Sequence, residues 1–216
     1  MEEVIDQLIV NKRLTEGTAR HVKGKMRVHK ILKLSREILA FEGYANFTLR
    51  NLCSRLNLSM GNLTYYFKTK HNIIHALIEE TIQNYEKDFQ KSISQAGDDP
   101  EQQFLAHINY LLEDLKKPIT RGFFFQIYGM SAHDPHVAKC KKEFYQYALS
   151  AMSRLITGLN PALNEKAVNH KALHLIALVD GMMVVLGPDK KIAPIARGFE
   201  NEFRKQALSI ALSREG

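Results

Sequence analysis

An all-α fold is predicted for this chain by three features of its sequence. Apolar residues recur at helical spacing in segment after segment. The six prolines fall between those segments or at their starts rather than inside them. No run alternates apolar with polar residues between hairpin signals, so no sheet is predicted. With 216 residues, 45% hydrophobic and 25% charged, the chain can bury a sizeable core as one or two domains.

Residues 1–25 read as an extension. Val4, Ile5, Leu8 and Ile9 suit a short amphipathic helix, and RLTEGTARHVKGK reads as loop. Arg20, Lys23 and Lys25 form either an arm that touches phosphate or a minor groove, or a partly ordered basic tail. From Met26 to Glu42, the residues Val28, Ile31, Leu32, Leu34, Ile38, Leu39 and Phe41 give a first helix, ended by Gly43.

The stretch Thr48 to Lys70 reads as two short helices joined by a tight turn. Thr48 caps the first through its hydroxyl, with Phe47 and Leu52 placed as a hydrophobic staple. Leu49, Leu52, Cys53 and Leu56 follow at helical spacing. The chain must reverse at Asn57, the residue type that after glycine best tolerates the left-handed conformation. Ser59 caps a second helix from about Met60 to Phe67, which buries Leu63 and Phe67 and exposes Met60, Asn62, Thr64 and Tyr65 or Tyr66 to a major groove.

Thr69 opens a fourth helix to about Gln95, with Ile74, Leu77, Ile78, Ile82, Tyr85, Phe89 and Ile93 along one stripe. AGDDP starts a fifth helix to Lys117, and Pro118 separates it from a sixth, Ile119 to about Ser131. HDPH makes the next turn, before a seventh helix to roughly Thr157. In an eighth, about Asn164 to Leu186, only His174 and Asp180 interrupt an apolar run from Ala172 onward. A helix apolar nearly all round must be covered nearly all round, and this run is too short and interrupted to span a bilayer. Gly187-Pro188 breaks it. A ninth helix follows from about Pro194, with Ile195, Phe199, Phe203, Ala207 and Ile210 on one stripe.

The formal net charge is +7, and all of it lies in the first third. Residues 1–72 hold 13 Lys and Arg against 6 Asp and Glu, while residues 73–216 hold 17 of each. From Arg20 to Asn72 the balance is 11 basic residues against Glu37 and Glu42. A basic window that coincides with a groove-reading motif points to double-stranded DNA rather than to a membrane.

The segment resembles the DNA-binding domain of the TetR family of bacterial transcriptional regulators. The residues that carry the resemblance are Thr48, Leu52-Cys53, Leu56-Asn57-Leu58-Ser59, Gly61, Leu63-Thr64, Tyr65-Tyr66-Phe67 and Thr69-Lys70. Asn57 stands where the family has Gly. Thr64 stands where it has a phosphate-contacting Tyr, a contact that Tyr65 or Tyr66 can share. The resemblance implies DNA contacts from Thr48, Ser59, Met60, Gly61, Asn62, Thr64, Tyr65, Tyr66 and Lys70. It also implies a homodimer through the last two helices, for which Leu175, Val179, Met183, Val184, Phe199 and Phe203 are the candidates. Between helices, the family encloses a pocket for a small-molecule effector. Here the concentration of aromatic and polar-tipped residues selects Phe104, His107, Tyr110, Phe124, Tyr128, Phe144, Tyr147 and His174. The expected organisation is an extension at 1–25, a helix-turn-helix domain at 26–72 and an effector-binding and dimerisation domain at 73–216.

Enzymatic chemistry is not expected, since the chain has no GxSxG elbow, phosphate loop, GxGxxG or HExxH. No metal or cofactor is expected either. His170 and His174 stand four apart, and His133, His136 and Cys140 cluster, but neither set has a further ligand at local spacing. The two cysteines, Cys53 and Cys140, and a start without a basic flank and apolar stretch fit a reducing cytoplasm.

Overall fold

A computed structural model describes residues 19–186 and 197–213. These form nine helices: α1 Ala19–Glu42, α2 Leu49–Leu56, α3 Met60–Tyr66, α4 Lys70–Ala96, α5 Pro100–Leu115, α6 Pro118–Ser131, α7 Pro135–Leu159, α8 Glu165–Leu186 and α9 Phe199–Leu212. No strand occurs among the described residues.

Two expectations need correction. α1 begins at Ala19, not Met26, so Arg20, Lys23 and Lys25 belong to a helix rather than to a loop or arm. Ala, Arg and Lys are strong helix formers, and Gly24, which weakens the local signal, is buried. α9 begins at Phe199 rather than near Pro194, after Gly198 at φ +86°. The expectations for Val4 to Ile9, Gly187-Pro188 and Ile195 fall outside the described residues.

Contact density groups the described residues into two compact units. The first takes the chain through Asn84 together with Gly122–Phe144; the second takes Tyr85–Arg121 and the chain from Tyr145 onward. In the first, α1 supplies Val28, Ile31, Leu32, Ile38 and Leu39 to a core completed by Phe47, Leu52, Leu63, Phe67, Ile73, Leu77 and Phe123. Gly43 stops α1 because its φ of +80° turns its N–H back to the Ile38 carbonyl at 2.9 Å. Arg36 cross-braces the unit: its guanidinium donates to Thr81 Oγ1 at 2.8 Å and to Glu80 and the Leu77 carbonyl at 3.2 Å. The same group lies 4.5 Å from the centroid of the Phe123 ring.

In the second unit, α5 packs against α8 and α9, and α8 against α9. Their shared core includes Phe104, Ile108, Ala172, Leu175, Val179, Phe203 and Ala207. Two polar residues inside the apolar α8 have explanations. The Tyr145 hydroxyl donates to Asp180. Lys171 is buried because its ammonium donates to the Ile210 carbonyl at 3.0 Å and to Ser213 Oγ, closing the C-terminus of α9 where a positive charge is favoured.

α8 is long and apolar enough by composition to cross a membrane. Its residues divide by face, with Val168, Ala172, Leu175, Ile176, Val179, Met182 and Met183 inside and Leu173, His174, Ala177, Gly181, Val184 and Val185 outside.

Candidate nucleic-acid interface

Local chemistry builds the two-helix motif. Thr48 has extended backbone, and its hydroxyl oxygen accepts the Asn51 N–H at 3.1 Å, satisfying a first-turn donor of α2. Asn57 is the one non-glycine residue with positive φ among those described, at φ 50° and ψ 51°. That conformation aims its own N–H at the carbonyls of Cys53 and Ser54, and the Leu58 N–H reaches Cys53 at 2.9 Å. Ser59 repeats the cap for α3 by accepting the Asn62 N–H at 3.1 Å. Leu63 and Phe67 are sealed beneath, so α3 can present only its other face.

That face consists of Met60, Gly61, Asn62 and Tyr65, all exposed. Tyr66 is half-buried, with its ring edge-on to Tyr65 at a centroid distance of 5.0 Å. The remaining hydroxyls of the expected set serve the helices themselves: those of Thr48 and Ser59 are caps, and that of Thr64 donates to the Met60 carbonyl at 2.9 Å. The position of Thr64 therefore works in shaping α3.

α4 starts with a reciprocal cap, in which the Asn72 N–H donates to Thr69 Oγ1 and the Thr69 N–H to Asn72 Oδ1, each at 3.2 Å. Lys70 follows at the first helical position. Its ammonium sits over the Tyr44 ring, 3.9 Å from the centroid. Tyr44 was not singled out by its sequence context; the only signal was an aromatic pair, Tyr44 and Phe47, at the entry to α2. His71 faces Asp134 at 2.7 Å, and its ring lies 4.7 Å from that of His136.

The expected effector residues divide between the units. In the first, Phe124 gathers Tyr128 and Phe144 at centroid distances of 5.9 and 4.9 Å. In the second, His107 lies 5.0 Å from Phe89 and 6.1 Å from Tyr110. Phe104 is fully buried core there. Burial raises the Tyr110 and Tyr147 hydroxyls above their usual titration range. Tyr110 also lines an open groove of about 570 Å³ with Asp88, Asn109 and Glu113. His174 corrects the expectation, because it lies on the exposed face of α8.

His107 is neutral. Burial, with the Arg154 charge nearby, pushes its pKa from 6.5 down to about 4, and its Nδ1 has no hydrogen-bond partner. Between those two values the unfolded chain binds a proton that the folded chain refuses, so stability falls as pH drops through that window. The full loss is about 3 kcal/mol. Thermal melts from pH 7 downward are expected to show it, and His107→Phe to flatten the dependence; an unchanged slope in the variant would assign the acid sensitivity elsewhere.

The dimer set is also corrected. Leu175, Val179, Met183 and Phe203 are buried within the second unit, whereas Val184 and Phe199 are exposed. Leu173, Ala177, Gly181 and Val185 extend the solvent-facing side of α8. Among the described residues no group of three or more His, Cys, Asp or Glu is placed to hold a metal ion. Burial pushes the Cys140 thiol up to about 11, which leaves it protonated and unreactive.

Residues 31–77 match the family model described as bacterial regulatory proteins, tetR family. Over 141 residues the chain is 23% identical to the HTH-type transcriptional regulator BetI of Stenotrophomonas maltophilia (strain R551-3), covering 65% of this chain and 70% of that protein. Its fold is similar to that of Salmonella enterica GusR, with a TM-score of 0.70 at 19% identity, over 93% of this chain and 99% of that one. It is also similar to a transcriptional regulator from Saccharomonospora viridis solved in complex with choline, with a TM-score of 0.63 at 19% identity, over 83% of this chain and 96% of that one.

Proposed function

Given that the chain belongs to the tetR family of DNA-binding transcriptional regulators, we propose that it acts as a homodimeric, ligand-responsive repressor that reads a near-palindromic operator with α3. Members of this family are regulators and not enzymes. The observation that carries the reading is the exposed row Met60, Gly61, Asn62 and Tyr65 on a helix capped by Ser59 and backed by buried Leu63. Polar and apolar tips on one face of a short, rigid helix are what a major groove requires. The basic window around it supplies the sequence-independent attraction to phosphate.

In this proposal α1, α2 and α3 form the DNA-binding domain, and the chain from residue 73 onward serves effector binding and dimerisation. A second copy covers the exposed face of α8 and Phe199. The dimer sets the two α3 helices about one turn of DNA apart, roughly 34–36 Å. A small organic effector held by aromatic residues of the second unit, such as Tyr110 on α5 and Tyr147 on α7, favours a different spacing and shifts the population away from the DNA-competent state. The choline held by the Saccharomonospora viridis regulator supports an effector of that size. Work on DNA places the protein in the cytoplasm.

Selecting bound sequences from a randomised DNA pool tests the proposal, and the expected product is a near-palindrome. Two substitutions then separate positioning from reading. Lys70→Met is expected to weaken binding to all sequences alike and to lower the salt slope by about 0.9 per half-site. Asn62→Ala is expected to erode discrimination at one or two base positions, by roughly 1–3 kcal/mol each. Binding that proves independent of sequence would replace this reading with an architectural one, in which the protein coats DNA without a specific operator.

A further inference from the structure

Lys70 has an unusual setting for a surface lysine. Its ammonium lies 3.9 Å from the centroid of the Tyr44 ring and 5.8 Å from that of Phe47, and both rings come from the segment between α1 and α2. An ammonium on the face of a ring is attracted by the ring's quadrupole and loses most of its rotameric freedom. Lysine ordinarily gives up that freedom only on meeting DNA, at a cost to binding. Here the Tyr44 face gives the ammonium a favoured place without DNA. One ring face cannot engage all three ammonium hydrogens, so donors remain for a phosphate.

Tyr44 is itself held in place. The amide before it, that of Gly43, is tied to Ile38, and the Tyr44 N–H donates to Oε1 of Gln126 on α6 at 2.9 Å. Its ring lies 6.5 Å from that of Phe47, which is fully buried. Gln126 therefore fixes the backbone of Tyr44, and Phe47 backs its ring.

We infer that Tyr44 is a positioning residue for DNA binding: its ring presents the Lys70 ammonium to the DNA backbone, and Gln126 holds Tyr44 where it can do so. The inference rests on the reading that Lys70 meets a phosphate. The ring does not withhold the lysine, because a charge-assisted hydrogen bond to phosphate is stronger than a contact with a neutral ring.

The test measures operator affinity of the full-length protein across a salt series for Tyr44→Phe, Tyr44→Leu, Lys70→Met and the double variant Tyr44→Leu/Lys70→Met. Tyr44→Phe keeps a ring face and is expected to bind within about twofold of the parent. Tyr44→Leu is expected to lose roughly two- to fivefold per half-site. In the Lys70→Met background the same change is expected to add nothing. Phenylalanines with increasing ring fluorination at position 44 keep the shape of the site while weakening the quadrupole, so affinity is expected to fall step by step even if the leucine variant folds poorly. If Lys70→Met changes neither affinity nor slope, the phosphate reading of Lys70 fails and this inference with it. If Lys70→Met acts as expected but Tyr44→Leu costs as much without the lysine as with it, or fluorination has no effect, Tyr44 is structural and the inference alone is overturned. Tighter binding by Tyr44→Leu would also overturn it, by showing that the ring sequesters the lysine.

Discussion

Val184→Glu is expected to leave the protein folded but monomeric, with operator binding reduced at least a hundredfold. Val184 is 62% exposed, Val185 61% and Leu173 56%, so a carboxylate at this face meets water in a single copy and costs little there. Between them lie Ala177 and Gly181, small enough to let another helix approach closely, and a Cβ added at Gly181 would have open space around it. Across a two-fold axis the same carboxylate would be buried twice, without a partner, and that cost exceeds what most interfaces of this kind can absorb. Losing the second subunit removes the intramolecular second contact with DNA, which by itself accounts for a factor of about 10²–10⁴. Sedimentation and fluorescence anisotropy on one sample would read both effects. Leu175→Ala is the contrasting variant: its side chain is fully buried, so it should lower the melting temperature by a core-cavity cost of about 2–5 kcal/mol without changing the assembly of the folded fraction. A Val184→Glu protein that remains dimeric would place the interface elsewhere.

What could be read from the sequence follows the range of the forces involved. The caps at Thr48 and Ser59 and the reversal at Asn57 are contacts within three or four residues, and each appears in the structure as sequence chemistry predicts. The stop at Gly43 and the punctuation at Pro100, Pro118 and Pro135 are equally local. α8 could not be resolved in the same way. A helix apolar on every side carries no periodic signal of which side is buried, so Leu175, Val179 and Met183 could not be told from Leu173 and Val184 until α5 and α9 were packed against one face. The Tyr44 contact with Lys70 and the Arg36 contacts with Glu80, Thr81 and Phe123 join residues far apart in the chain. No spacing rule reaches that far. The effector set shows the same limit: aromatic content located a region, but the exposure of His174 and the isolation of His107 Nδ1 depend on tertiary packing.

Gly122 is the clearest case of a residue whose importance is invisible in sequence, and Gly122→Ala is expected to destabilise the first unit by about 3 kcal/mol. In a helix, alanine is ordinarily better than glycine by about 1 kcal/mol, so propensity alone predicts a gain. The geometry reverses the sign. A Cβ at Gly122 would lie 2.1 Å from the carbonyl oxygen of Ala40 and within 2.9 Å of the Ala40 carbonyl carbon and Cα. All three are backbone atoms of α1, so no rotamer change relieves the overlap and α6 must move away from α1. That movement would strain the Arg36 contact with Phe123 and the Tyr44 hydrogen bond to Gln126, both of which depend on the same approach. Gly129, in the same helix, is the internal control, since a Cβ there has nothing within 4 Å. Gly129→Ala is expected to stabilise by about 0.5–1 kcal/mol. For a chain of this size the two variants should differ in melting temperature by roughly 7–16 °C, measurable by circular dichroism. DNA affinity measured below both transitions should fall for Gly122→Ala, through displaced Tyr44 and Lys70, and stay unchanged for Gly129→Ala. Equal melting temperatures would show that α1 and α6 do not approach this closely in solution.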